Sequence, residues 1–250
     1  SILIFNTKEI FLMRKKRKNL ELREIKITRD FMKHTLASCL IEQGNTKVIC
    51  CITLQETVPR WLKGKGKGWI TAEYSMLPTA THSRTDRESI KGRLSGRTQE
   101  IQRLIGRSIR NVFDLDLLGE RLLKIDCDVI SADGGTRTAS INGAWVAAKI
   151  AIDKLLKNRL IKKDPLKYGV SAISCGVVAK EVLLDLDYYE DSNAEADANF
   201  VFNSEGKIIE IQCTGERNPI SNLQFSEMFK ASKDSCMNIF KIQQISTRTQ

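Results

Sequence analysis

The stretch 126-DCDVISADGGTRTASINGAW-145 joins an alternating apolar/polar run to an alanine-rich one through two adjacent glycines. With the residues just before it, the first half reads RLLKIDCDVIS, the period-two pattern of a half-buried strand. The second half continues as ASINGAWVAAKIAIDKLLKN, a helix whose small residues allow close packing. Between them, Gly134-Gly135-Thr136-Arg137 places free backbone N–H groups, a hydroxyl and a guanidinium at a helix N-terminus. Such a terminus favours an anion, because the helix dipole and the unpaired amides both point at it. Two glycines let the backbone approach the anion closely, Thr136 can cap the helix or donate its hydroxyl, and Arg137 can grip two oxygens at once. The loop has neither the spacing of a dinucleotide fingerprint nor a Walker lysine, and a purely structural cap is the competing reading.

Upstream, apolar Ile101, Leu104, Ile105, Ile109 and Val112 recur at helical spacing, so a helix is expected over about Arg97–Phe113. Arg103, Arg107 and Arg110 fall on another face, and Arg97 opens the helix directly after Gly96 as a second anion half-site. LASCLIEQGNTKVICCITLQ reads as two strands around a Gly44-Asn45 turn, and ITAEYSMLP as a strand ended by Pro78. After Asp164-Pro165 come two hairpins, YGVSAISCGVVAKEVLLDLDYYED and ANFVFNSEGKIIEIQCTGE, separated by a short helical SNAEA. A last helix is expected over about 221–242. Strands gathered in antiparallel hairpins, with helices interrupting them, indicate an α+β fold. The expected organisation is a mobile basic leader over 1–19, one compact domain over 20–242 and a polar tail over 243–250.

Of the 250 residues, 40 are Lys or Arg and 30 Asp or Glu, and the resulting +10 favours polyanionic partners. Two segments could carry that contact: the cationic glycine loop with Lys65 and Lys67, and the arginine-rich connection with Arg84, Arg87 and Arg93. No apolar run approaches the ~18 residues of a membrane span. Seven cysteines with no Cys-x-x-Cys pair sit mostly in apolar runs, which fits a reducing compartment, and the expected location is the cytoplasm. Two histidines at no ligand spacing argue against zinc.

The run 185-DLDYYEDSNAEAD-197 puts six carboxylates into thirteen residues of a basic protein. Asp191 and Asp197 flank a short helical turn and could aim at one point. Oxygen ligands without histidine or thiolate suit Mg²⁺ or Mn²⁺. A solvated loop is the alternative.

Four stretches, QETVPRWLKGKGKGWITAEYSMLP, SGRTQEIQRLIGRSIR, DCDVISADGGTRTASINGA and DLDYYEDSNAEADANFV, occur in order, and over residues 20–220 the chain resembles the ribonuclease PH family. The resemblance implies a fold like ribosomal protein S5 domain 2, assembled as a homo-hexamer, a trimer of dimers. It implies a phosphorolytic 3′-to-5′ exoribonuclease that trims transfer-RNA precursors and other RNA 3′ ends, with neither DNA nor a membrane as partner. Arg97 falls on the family's phosphate-binding arginine, Gly135, Thr136 and Arg137 on its phosphate loop, and Asp191 and Asp197 on its metal-binding aspartates. Inorganic phosphate is then a co-substrate and Mg²⁺ or Mn²⁺ the metal. This chain departs from the pattern at Cys213, where a glycine is usual and a need for its conformational freedom would strain the sheet, and at Thr79, where an arginine is usual. Residues 1–12 lie upstream of the usual start, with Met13 the candidate initiator. A catalytically silent RNA-binding ring subunit and a metal-dependent hydrolytic nuclease are the alternatives.

Overall fold

A computed structural model describes Arg14 and residues 17–248; the expectations for residues 1–12 and Met13 lie outside that range. Among the described residues, nine strands form two sheets. The first contains β1 (Ile25–Arg29), β2 (Ala37–Gln43), β3 (Thr46–Gln55), β4 (Trp69–Met76) and β5 (Leu122–Ser131), in the order β1-β2-β3-β5-β4. The Gly44-Asn45 turn sets the β2/β3 register, pairing Gln43 with Thr46 and Ala37 with Ile52. β5 returns antiparallel to β3 but parallel to β4. A parallel pair needs a long crossover. The segment between β4 and β5 supplies it, through α1 (Glu88–Lys91), α2 (Gly96–Asn111) and α3 (Leu115–Leu118).

The second sheet is antiparallel, in the order β7-β6-β8-β9, with β6 at Val170–Val178, β7 at Glu181–Leu184, β8 at Ala196–Asn203 and β9 at Ile208–Gly215. Between the sheets runs α4 (Thr136–Lys157), which packs on β2 and β3 of one and β6 of the other. Sixteen of its 22 residues are buried, many of them Ala, Gly or Ser, so apolar character surrounds the helix instead of forming a stripe. The last helix, α6 (Asn222–Thr247), covers the second sheet, where Phe200, Phe202 and Phe229 form an aromatic cluster.

Cys39, Cys50 and Cys127 pair across β2, β3 and β5, and all seven thiols are free. Contact with its two neighbouring thiols, together with burial, pushes the Cys50 thiol well up, and burial raises Cys175 and Cys236 to about 12. These are packing groups, not nucleophiles. Among the described residues no helix is long and apolar enough to cross a membrane.

Four details differ from the sequence reading. The helix expected over SNAEA is instead α5, Tyr188–Asn193, and Ala196 already belongs to β8. An Asp187/Glu190 capping box starts it four residues earlier. The last helix continues to Thr247, so most of the expected tail is helical. At Cys213 the backbone is ordinary strand with no positive φ, so the conformational freedom of a glycine is not needed there.

The fourth concerns the leader. Arg14, expected to be mobile, is 3% exposed, and its guanidinium lies 2.9 Å from Glu190 of α5, itself 2% exposed. Arg14 also donates to the carbonyl of Leu184, while Arg17 reaches both Glu190 and the carbonyl of Asp185. A buried ion pair is costly to break from one side, because the remaining charge loses its partner. Glu190→Ala is therefore expected to cost about 3–5 kcal/mol, read as a lowered urea midpoint at unchanged m-value. A loss under ~1 kcal/mol would mean that Arg14 is not held there in solution.

Candidate active site

The phosphate-loop candidate begins where β5 ends. Gly134 (φ 75°) and Gly135 (φ 66°) both occupy the left-handed region, and Gly135 is the N-cap of α4. A Cβ on Gly134 would overlap the Leu186 carbonyl and the Asp187 backbone, so the loop can seat against the 185–187 segment only because it has none. Thr46 Oγ1 donates to the Gly134 carbonyl at 2.6 Å, and the Asp133 carboxylate accepts from the Tyr188 N–H at 3.3 Å. Under this junction Asp185 is fully buried and binds Arg23 (2.6 Å) and Gln43 (2.8 Å). The loop and the acidic segment are thus fastened to each other before any ligand is considered.

Thr136 does not cap the helix with its side chain; its Oγ1 shares a 2.9 Å hydrogen bond with the Tyr74 hydroxyl. Burial raises the Tyr74 pKa against the pull of that bond and of Arg97 and Arg137, which keeps the phenol neutral. Arg97 is the second residue of α2, whose N-cap Ser95 accepts from the Thr98 N–H at 3.1 Å. Its side chain is exposed, and no carboxylate lies within ion-pair distance among the described residues. Arg137 is held by Glu100 at 3.2 Å and Gln212 at 3.0 Å.

The acidic run divides. Asp185 and Glu190 are consumed by arginines, Asp187 caps α5, and Glu195 accepts from the Lys180 N–H and the Asn218 amide. Asp191 and Asp197 make no ion pair among the described residues. The pocket walls strip water from both and raise both pKa values. Arg97 and Arg137 counteract the rise at Asp191, whereas Asp191 and Glu216 add to it at Asp197. Asp191 stands exposed at the mouth, where solvent screens its shift; Asp197 is half-buried.

Arg97, Gly135, Thr136, Arg137, Asp191 and Asp197 all line one pocket of about 60 Å³. It adjoins a groove of about 390 Å³ that shares Arg137, Asp197 and Asn199 and extends over Gln212, Cys213 and Glu216. The small compartment suits a single oxyanion, the groove something larger.

Lys65, Lys67, Arg84, Arg87 and Arg93 line neither. Lys67 lies 3.5 Å from Asp116 and Arg84 3.1 Å from Asp86. Thr79 is exposed next to Pro78. Ser174 and Asn199, absent from the sequence reading, face each other across β6 and β8 inside the pocket. Their signal was faint, since β6 also carries Ser171 and β8 also carries Asp197 and Asn203, so neither residue stands alone as the polar member of its strand.

Two family models cover this arrangement: 3′ exoribonuclease family, domain 1, matches residues 21–151, and domain 2 of the same family matches residues 169–235. The chain belongs to the 3′ exoribonuclease family. Within it, the chain is 52% identical over 222 residues to ribonuclease PH of Methylorubrum populi, covering 89% of this chain and 94% of that protein. Among solved structures, rice (Oryza sativa) Rrp46 superposes with a TM-score of 0.76 at 19% identity, over 94% of this chain and all of that one. The Archaeoglobus fulgidus exosome with RNA bound to its active site gives 0.75 at 18% identity, over 97% of this chain and 99% of that one. At such identities the structures establish the fold, and the ribonuclease PH relative carries the activity.

Proposed function

We propose that the pocket holds inorganic phosphate as the attacking reagent, gripped by Arg97, Arg137, Thr136 and the backbone of Gly135. The enzyme is a phosphorolytic 3′-to-5′ exoribonuclease of transfer-RNA processing, with phosphate as co-substrate. A phosphate oxygen attacks the last phosphodiester, the 3′ oxygen of the preceding nucleotide leaves, and the terminal nucleotide departs as a nucleoside 5′-diphosphate. A phosphodiester is exchanged for a diphosphate, so the reaction runs in both directions. No side-chain nucleophile is required, and positioning plus electrostatics supply the acceleration. The observation that carries this reading is the meeting of two arginines, from separate helices, with the Gly134-Gly135 loop and two carboxylates that make no ion pair among the described residues.

Asp191 and Asp197 fit a divalent cation, Mg²⁺ or Mn²⁺. Among the described residues no cluster of three or more His, Cys, Asp or Glu converges, and two carboxylates are what Mg²⁺ takes when waters and substrate oxygens complete its shell. Bound there, the cation would neutralise charge developing at the scissile group. Arg84, Arg87 and Arg93 lie on an exposed segment and, with Lys65 and Lys67, would guide the RNA backbone. Assembly as a homo-hexamer belongs to the same reading, and a cytoplasmic location is supported by the seven free thiols.

The test is to incubate protein and Mg²⁺ with a transfer RNA carrying extra 3′ nucleotides, with and without phosphate. Nucleoside diphosphates released only with phosphate are the expected product. Monophosphates without phosphate would make the protein a hydrolase, and RNA retention with no product a silent subunit.

A further inference from the structure

We propose that His82, Tyr188 and Tyr189 form a stacking platform for a base of the RNA near its 3′ end; this deepens the exoribonuclease reading and rests on it. Tyr188 and Tyr189 are 44% and 60% exposed, unusual for two adjacent tyrosines on one short helix. Their ring centroids lie 6.0 Å apart at 74°, and the exposed imidazole of His82 lies 4.7 Å from Tyr188 and 6.1 Å from Tyr189. Three rings therefore converge at the surface with open faces and edges.

Their position ties them to the reaction. Tyr188 is one helical turn before Asp191, a spacing that puts side chains on the same side of a helix. The Tyr188 N–H is bonded to Asp133, immediately before Gly134 and Gly135 of the phosphate loop. None of the three rings lines the pocket or the groove, so the platform stands outside them, one helical turn from Asp191. His82 comes from the segment that also carries exposed Arg84 and Arg87. Aromatic faces beside a cationic strip are how single-stranded nucleic acid is held without base reading: cations follow the backbone and any base offers a π-face. A protein partner would instead call for an aliphatic surround, whereas the rest of α5 is Glu190, Asp191, Ser192 and Asn193, with no aliphatic side chain.

The test compares Tyr189→Leu and Tyr189→Trp with the unaltered protein, on single-stranded RNA and on the same RNA lacking its three terminal bases. Tyr189 is exposed enough for both variants to fold. Tyr189→Leu is expected to raise KM for intact RNA roughly 5- to 100-fold, the effect of losing one base stack, with KM for phosphate unchanged. Tyr189→Trp should stay near the unaltered value, and all three proteins should converge on abasic RNA. An equal penalty on intact and abasic RNA, or no penalty, would reduce the cluster to an anchor for the 79–87 segment. If the unaltered protein releases no diphosphates, the exoribonuclease reading fails first. Quenching of 2-aminopurine in the 3′ end by the unaltered protein but not by Tyr189→Leu then still supports the platform, and equal quenching overturns it.

Discussion

With alanine at position 97, half-maximal activity is expected to need about 10²-fold more phosphate or beyond, while retention of RNA changes little. The first effect follows from the geometry. Arg97 opens α2 over the pocket and is committed to no carboxylate among the described residues, so its charge is available to the anion. Removing one charged donor from a preorganised oxyanion site costs on the order of 10²–10³ in rate. Arg137 is a less clean probe, because Glu100 and Gln212 also depend on it. RNA retention is spared because backbone contacts are shared among many cations. Initial rates across a phosphate series, with a parallel filter-binding measurement, separate the two effects. Equal activity at limiting phosphate would remove Arg97 from the site.

The second large effect joins activity and stability in opposite directions. Asp191→Asn and Asp197→Asn should each lower activity by roughly 10²-fold or more, since neither amide can neutralise or hold a cation as a carboxylate does. In metal-free protein near neutral pH, Asp197→Asn should raise Tm by about 1–4 °C, the scale of relieving one unfavourable charge contact in a chain of this size, and Asp191→Asn by less, because solvent screens its exposed carboxylate. The sign follows from proton linkage. Both carboxyls have folded-state pKa values above their ordinary 3.8, so between the unfolded and folded values the native state binds more protons. Stability is therefore highest below the unfolded value and falls as pH rises through the folded one. The substituted proteins should show a flatter pH–stability curve in that window, and Mg²⁺ should raise the Tm of the unaltered protein only. Thermal melts across pH, with and without Mg²⁺, decide it; a substituted protein that melts lower in metal-free buffer would show that the carboxylates support the fold.

Much of this architecture was readable in advance, for local reasons. The β2/β3 and β8/β9 hairpins follow from alternation flanking a glycine turn, and α2 from its apolar spacing. The Gly134-Gly135 turn was readable because the two glycines interrupt two strongly patterned segments. The start of α5 could have been read from the Asp187/Glu190 capping box, but the alanines beyond it drew the helix too far along the chain. What was illegible depends on partners remote in sequence. Nothing near β4 says that it lies parallel to β5, because the pairing is made through a crossover containing three helices. Nothing near Thr136 says that its hydroxyl answers Tyr74, and nothing near Arg14 says that a charged residue is destined for the interior.

That last contact bears on how the enzyme is made. Arg14 and Glu190 are separated by 176 positions, so the earliest-synthesised part of the described chain must wait for its counter-charge. At ~5–20 residues per second on the ribosome, the delay is roughly 9–35 s. Throughout that interval Arg14 lacks the Glu190 carboxylate that buries it, close to a negatively charged ribosomal RNA surface. Segment 185–191 then emerges and withdraws Arg14 into the protein, so the helix bearing Asp191 gains this contact only after 176 further residues have been translated.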